Sequence, residues 1–389
     1  MSQNTDFIPF ARPSIGTEEE EAVLRVMRSG WLTTGAETLA FEQEFADFVG
    51  APHAMAVNSA TSGLHLALEA LGIGPNDVVI TSPYTFTSTA AVVRHLGAEV
   101  AFCDTAPGSY NIDPDALGRI LASTKNCRAI IAVHVGGLPC DMKAIKALAQ
   151  RYGCAVVEDS AHSFPSKTAD GYAGTIGDIG VYSFYATKTI TTGEGGMVVT
   201  KDGKLAARIA MMRMHGFDRV AWDRYTSKKA SWQYAVKEAG FKYNLPDLLS
   251  AIGREQLKKA GAFLEQRRAI AAVYDESFKD IAGLEVPPRG EGHAWHLYSL
   301  RTRPDRGGPD RDILIERLME RGIGTSVHFI PLHTMPYYAE RYGLSGQSFP
   351  NAMTMFERTV SLPIWQGMGT RTALQVASVV KEIARSSAT

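Results

Sequence analysis

Val181-Tyr-Ser-Phe-Tyr-Ala-Thr-Lys188-Thr-Ile-Thr-Thr-Gly-Glu-Gly-Gly-Met-Val-Val-Thr200 is the stretch on which the reading of this chain turns. An apolar strand runs up towards Lys188, a Gly/Thr loop follows it, and a second strand spans Met197 to Thr200. Burying an ammonium without a partner is costly, so a lysine set between buried strands asks for a reason. Burial also lowers a lysine's pKa, and the neutral amine is the form that attacks a carbonyl. Two roles fit: a Schiff base to a substrate, or one to pyridoxal phosphate. The plain alternative is a lysine just past the strand end that points into water, as most charged side chains do. The rest of the chain decides.

Working outward, strands alternate with helices. On the near side Cys154–Val157 runs into Glu158-Asp159-Ser-Ala-His162. Before it lie an apolar strand, Ala129–Val135, and a helix that Asp141 caps, Ile145, Leu148, Ala149 and Tyr152 stripe, and Gly153 ends. Further back come strands Glu99–Cys103 and Val78–Thr81, the latter followed by Pro83-Tyr-Thr-Phe86 and a helix through His95. Strand His53–Val57 leads into Asn58-Ser-Ala-Thr-Ser-Gly63 and a helix whose Leu64, Ala67, Leu68 and Leu71 keep i, i+3, i+4, i+7 spacing. This is the signature of an α/β fold: a mostly parallel sheet with helices on both faces. Ligands bind such sheets at the carboxyl ends of the strands. Thr61, Ser62, Phe86, Asp159, His162, Ser183 and Lys188 all fall at or just past those ends.

Two helical patterns, Thr17–Ser29 and Glu37–Phe48, precede the alternation. Gly30-Trp-Leu-Thr-Thr-Gly35 joins them, as a lid over a site or as an ordinary connection. Past a helix at Lys204–Met214, a polar stretch to Gly240 reads as a long loop, and long loops are often functional. A long helix, Leu248 to about Lys279, then opens a smaller α+β unit. Its expected elements are a strand Trp295–Arg301, a helix between Pro309 and Gly322, a strand Thr325–Ile330, and a last helix with its stripe at Val376, Val379, Val380 and Ile383. The expected division is a large cofactor-binding domain over 1–245 and the long helix with a small domain over 246–389.

Composition narrows the classes. With 389 residues, 45% of them hydrophobic, the chain can bury a full core. Forty basic against 41 acidic residues leave a net charge of −1 with no long basic run, which argues against nucleic acid or an anionic membrane as partner. Cys103, Cys127, Cys140 and Cys154 form no CxxC pair and no metal-ligand spacing, as in a reducing compartment. No secretion signal opens the chain and no apolar run approaches a membrane span, so a cytoplasmic protein is expected.

Pyridoxal phosphate asks four things of a protein: an amine, a carboxylate on the pyridinium nitrogen, an anion site, and a flat group against the ring. Lys188 is the amine. Asp159, ending an apolar strand, is the carboxylate, because its charge keeps the ring nitrogen protonated; Glu158 would point the other way along the strand. Thr61 and Ser62 at a helix start, with Ser183, form the anion site. Phe86 supplies the aromatic face.

At these residues the chain also resembles the DegT/StrS-type nucleotide-sugar aminotransferases, a branch of the fold-type I pyridoxal phosphate enzymes. The match covers Ser183 to Met197, Asn58 to Leu68, Pro83-Tyr-Thr-Phe86, Glu158-Asp-Ser-Ala-His162, Phe241-Lys-Tyr-Asn-Leu245 and Val327-His-Phe-Ile-Pro-Leu-His333. It extends from Ile8-Pro-Phe-Ala-Arg-Pro to the Leu362-Pro region. The resemblance implies Lys188 as Schiff-base and proton-transfer lysine and Asp159 on the pyridine nitrogen. His162 stands where members place Gln or His near the ring hydroxyl. Phe86 would stack on the ring, and Ala60, Thr61 and Ser183 would hold the phosphate. Lys242-Tyr-Asn resembles the branch that aminates C4 of a 4-keto-6-deoxy sugar, so Asn244 would reach the phosphate of a neighbouring subunit in a homodimer with shared sites. Trp31 and Thr33 point to the same branch as sugar-site candidates. His328 and His333 either line the sugar site or are structural. Dehydrating relatives carry His where this chain has Lys188, which favours plain transamination with L-glutamate as donor.

Three other readings are available. A C3 aminotransferase of the same family remains an alternative to C4. A cofactor-sensing regulator would need a DNA-binding module, and no helix-turn-helix or basic face is appended. A nicotinamide-dependent sugar reductase would want G-x-G-x-x-G where the chain has Asn58-Ser-Ala-Thr-Ser-Gly63.

Overall fold

The computed structural model describes residues 7–218 and 234–386; most of the expected loop before Gly240, residues 219–233, lies outside the described residues. Helices α1 (Thr17–Ser29) and α2 (Ala36–Val49) precede strand β1 (His53–Val57) and α3 (Ala60–Ala70). Then come β2 (Val78–Thr81), α4 (Ser88–His95), β3 (Glu99–Phe102), α5 (Pro114–Ser123), β4 (Cys127–Val133), α6 (Met142–Tyr152) and β5 (Ala155–Asp159). A small hairpin, β6 (Lys167–Thr168) and β7 (Gly171–Tyr172), leads to β8 (Ile179–Ser183), β9 (Gly196–Thr200) and α7 (Gly203–Met212). The 32-residue α8 (Asp247–Phe278) begins two residues after the boundary expected at 245. Past it lie β10 (Leu284–Glu285), β11 (Tyr298–Thr302), α9 (Arg311–Glu320), α10 (Pro336–Tyr342), α11 (Pro350–Arg358), β12 (Thr359–Leu362) and α12 (Gly369–Ser386).

The large sheet has the order β1-β9-β8-β5-β4-β2-β3. β3, β2, β4, β5 and β8 are parallel, and β9 alone runs against its neighbours. Period-2 alternation divides its side chains between the two faces. Ala129, Ile131 and Val133 of β4 pack with Leu64, Leu66 and Leu68 of α3, while Ile130 and Ala132 face α5 and α6. On β9, Val198 joins the α3 side and Met197 and Val199 join Phe41 and Phe45 of α2. Each fully buried leucine of α3 contributes about 2 kcal/mol of apolar burial, so the helix that opens the anion site is anchored by its own stripe.

A second core forms between α8, α9, α12 and the sheet β10-β11-β12. The N-terminal segment belongs to it: Ile8 donates its N–H to Gly322 O at 2.8 Å and packs in this core.

Two expected strands differ. Over Thr325–Ile330 no strand forms; Ser326 makes a lone bridge to Ser361 of β12, the strand that pairs with β11. Pro331 lacks an N–H and the segment turns to carry His328 and Phe329 inward. The strand expected from Trp295 starts at Tyr298, because Trp295 itself has φ 51, which no extended chain adopts.

Candidate active site

A cavity of about 460 Å3 opens at the carboxyl ends of the parallel strands. Segments after β1, β2, β5 and β8, and the one entering β9, meet there, as the topology of such sheets requires.

The anion site is built by α3. Ser59 caps it, its hydroxyl accepting the Ser62 N–H at 3.1 Å. The N–H groups of Ala60 and Thr61 have no acceptor among the described residues and line the cavity. Gly63 lets the helix start approach the strands: a Cβ there would come within 2.7 Å of Val181 Cγ1 and 3.1 Å of Val198 Cγ2. Ser183 ends β8 with its Oγ accepting the Tyr185 N–H at 3.3 Å, which leaves its own hydrogen free to donate.

Lys188 follows in the turn after β8 and lines the cavity. Burial pulls its ammonium pKa down to about 8, with Asp159 opposing and Arg267 assisting. Asp159 accepts from Thr89 Oγ1 at 2.8 Å and from the Ala161 N–H at 3.2 Å. Its pKa is raised by burial, against these donors and Lys188. Glu158 does point the other way. It accepts the N–H groups of Gly174, Ile176 and Gly177 at 2.8, 2.7 and 2.6 Å and bonds His134 Nε2 at 2.9 Å, fixing the loop before β8.

His162 takes the Gly136 N–H on Nδ1 at 3.3 Å and stacks on Phe329, ring centroids 5.5 Å apart. Its pKa is pushed well down, first by burial and then by Lys188 and His328. Phe86, 58% exposed, sits at the cavity mouth 6.2 Å from Phe329. His328 lines the cavity, bonded to Ser361 Oγ at 3.0 Å and stacked on Phe10.

The structure leaves four candidates outside the cavity. His333 is wholly buried with neither ring nitrogen bonded and packs on Phe349, a core position. Asn244 donates to Thr34 Oγ1 at 2.6 Å and accepts from Lys242 Nζ. Trp31 Nε1 reaches Thr34 O at 3.3 Å, and Thr33 O accepts the Asp247 N–H at 3.3 Å. These three residues therefore form one tied unit away from this chain's own cavity.

Sequence reasoning missed Phe10, Thr89, Tyr185, His296 and Phe329 at the site, and Arg267 behind it. Arg267 is fully buried in α8; its Nη1 donates to the carbonyls of Trp295, His296 and Ile364, each at 3.1 Å, and its Nη2 to Gln366 Oε1 at 2.9 Å. An arginine on the buried side of a helical stripe was its only available signal.

A cleft of this kind, on this sheet, serves pyridoxal-phosphate chemistry in the fold-type I manner. The residues fit the group: unsatisfied helix-start N–H groups for a phosphate, a buried carboxylate for a cationic ring nitrogen, and a low-pKa amine for the aldehyde. Comparison with known proteins is narrower still. Residues 13–381 match the DegT/DnrJ/EryC1/StrS aminotransferase family, and the chain belongs to it. It is 44% identical over 388 residues to the spore coat polysaccharide biosynthesis protein SpsC of Bacillus subtilis (strain 168), covering 99% of each chain. Among solved structures it is similar to Helicobacter pylori PseC, an aminotransferase involved in the biosynthesis of pseudoaminic acid (TM-score 0.90, 28% identity, 98% of this chain and 100% of that one). Spr1654 of Streptococcus pneumoniae is similar in its PMP form (TM-score 0.90, 27% identity, 98% and 100% covered) and in its PLP form (TM-score 0.89, 26%, 98% and 99%). The cofactor is pyridoxal phosphate, and the protein is an aminotransferase.

Proposed function

We propose that this aminotransferase moves the amino group of L-glutamate to the ketone of a nucleotide-linked sugar, at C4 of a 4-keto-6-deoxy sugar. The observation that carries the reading is Lys188, a buried amine with a pKa near 8 facing Asp159 in the sheet-end cavity. Bound pyridoxal phosphate supplies the electron sink. The residues of the chain do the rest. Lys188 would hold the cofactor by its aldehyde and, as a free amine, would carry the proton to and from the substrate carbon, general acid–base work suited to a pKa near neutrality. Asp159, fixed by Thr89 and Ala161, keeps the ring nitrogen protonated. Ala60, Thr61 and Ser183 would hold the phosphate, Phe86 would cover the ring, and His162 would stand by the ring hydroxyl.

A sugar nucleotide suits the mouth of the cavity. Phe10, Phe86, Tyr185 and Phe329 offer apolar faces to sugar C–H groups, while His296 and His328 supply neutral polar edges. Lys188 is the one cation lining the cavity among the described residues. That supports a homodimer in which Lys242 and Asn244, tied to Trp31 and Thr33 on one surface unit, face the partner's site and add the missing donors to its phosphate.

UDP-, GDP- and dTDP-linked 4-keto and 3-keto sugars, each offered with L-glutamate, test the proposal through release of 2-oxoglutarate and formation of the amino sugar. Turnover with a 4-keto sugar is expected. Amination of 3-keto sugars alone would move the reaction to C3, and turnover with no sugar nucleotide would overturn the substrate class.

A further inference from the structure

The turn that follows β4 does something for His162 that neither its burial nor its place in the sequence requires. Gly136, with φ 65 and ψ 0, aims its N–H at His162 Nδ1. An amide N–H only donates, so Nδ1 must carry a lone pair, and in the neutral ring the proton then resides on Nε2. That nitrogen bonds no group among the described residues and is not sealed from the cavity that the ring lines.

The turn is held from four sides. Asn111 Oδ1 accepts the Val135 N–H at 3.1 Å and Asn111 Nδ2 donates to Leu138 O at 2.9 Å. Gly136 O accepts the Leu297 N–H at 3.1 Å, and Gly137 O accepts that of Ala294 at 2.8 Å. Gly137 has φ 97, and a Cβ on it would stand 3.1 Å from His162 O, Ala294 Cβ and His296 N. The imidazole is itself clamped, with Phe329 nearly parallel at 19° on one contact and His296 at 4.4 Å on another. Among the described residues no carboxylate bonds it. Asp159 is engaged with Thr89 and Ala161, and the other titratable groups around the ring are Lys188, His296 and His328.

We propose that the Gly136–Gly137 turn is a positioning device that locks His162 as its neutral Nε2–H tautomer, making it a fixed hydrogen-bond donor to the hydroxyl oxygen of the cofactor ring and excluding it from proton transfer. The ring contact rests on the reading under Proposed function; the tautomer does not. Glutamine is the one other common side chain that keeps both halves of the arrangement, with Oε1 for the Gly136 N–H and Nε2–H for the ring. Leucine keeps neither.

Two readouts decide the matter. In cofactor-free protein labelled with 15N-histidine, the His162 signals, assigned by their loss in His162→Gln, should show an unprotonated Nδ1 and a protonated Nε2 from about pH 6 to 9. An imidazolium or an Nδ1–H tautomer in that range overturns the lock. In the loaded protein, the absorbance band of the cofactor on Lys188 titrates with a pKa that a donor to the ring oxygen lowers, because the deprotonated form concentrates charge on that oxygen. His162→Leu should raise that pKa by about one unit, and His162→Gln should stay near wild type. Asn111→Ala, which frees the turn from outside the cavity, should shift it the same way by less and mix the tautomers. A wild-type titration in both His162→Leu and Asn111→Ala overturns the positioning role. If the leucine variant does not fold, the Asn111→Ala titration and the nitrogen signals still decide. Failure of every variant and the wild type to hold cofactor would refute the proposed chemistry instead, with the nitrogen signals still reporting the tautomer.

Discussion

Lys188 owes its reactivity to neighbours that pull in opposite directions. Burial lowers its pKa to about 8, Asp159 holds the ammonium form, and Arg267 opposes it. Only the neutral amine captures an aldehyde, so capture of pyridoxal phosphate by cofactor-free protein should accelerate as pH rises through about 8 and level off above it; an exposed lysine would require a pH near 10. Removing the anion in Asp159→Asn should move that midpoint downward while leaving capture intact, and should cut transamination roughly 100-fold because the ring nitrogen loses its counter-charge. Stopped-flow absorbance gives the first result and 2-oxoglutarate release the second. A midpoint that moves upward in Asp159→Asn would show that the carboxylate does not face the amine.

At the scale of elements, the site depends on how closely α3 and the loop before β8 are brought to the sheet. Gly63 permits the first. Gly63→Val drives a side chain into Val181 and Val198, and it should destabilise the protein by about 2 kcal/mol and weaken cofactor retention by lifting the N–H groups of Ala60 and Thr61 away from the phosphate. Thermal unfolding and equilibrium dialysis would measure the two effects, and loss of stability with unchanged retention would separate α3 from the phosphate. Glu158 secures the second. Burial alone would raise its pKa, yet His134 and the N–H groups of Gly177 and Gly174 hold it lowered, so the carboxylate is charged and its four bonds are made. Glu158→Gln puts an N–H where an acceptor is needed and should cost about 3 kcal/mol in denaturant unfolding, far more than a surface Glu→Gln change. The proton on His134 lies on Nε2, since Nδ1 accepts the Cys140 N–H at 3.0 Å.

For the whole molecule, Asp247 is the knot. Its carboxylate accepts the N–H groups of Gly35, Glu37 and Thr38 at 2.7, 3.2 and 3.0 Å, capping α2 from the first residue of α8. The Trp31–Gly35 joint and the Lys242–Asn244 stretch are thereby tied into one unit, outside the cavity of their own chain. A shared active site makes a sharp prediction. Mixed dimers of inactive Lys188→Ala and inactive Asn244→Ala protomers should recover part of the activity, because one of the two sites then carries neither lesion. Subunit exchange without recovery, or an active monomer in sedimentation, would rule out sharing.

Local signals in the sequence determined much of this protein. Strand–helix alternation, the Ser59–Gly63 helix start, the opposed pair Glu158 and Asp159, and the Gly/Thr loop around Lys188 each depend on neighbours a few residues away, and period and chain direction suffice to read them. Thus β1, β2, β5, the stripe of α12 and the gathering of Lys188, Asp159, His162, Phe86 and Ser183 at one sheet end were legible. Tertiary structure alone decided the rest, because it joins residues hundreds of positions apart. Phe10 and His328 meet only through the crossing of the N-terminal segment to the second core. His328 and His333 look alike in the sequence, yet one lines the cavity and the other is sealed in the core. The apparent strand at Thr325–Ile330 is reduced to one bridge, from Ser326 to Ser361 of β12, because β-propensity alone does not secure a partner. Which nitrogen of His162 carries the proton depends on a glycine of another strand's turn, and no local pattern encodes that contact.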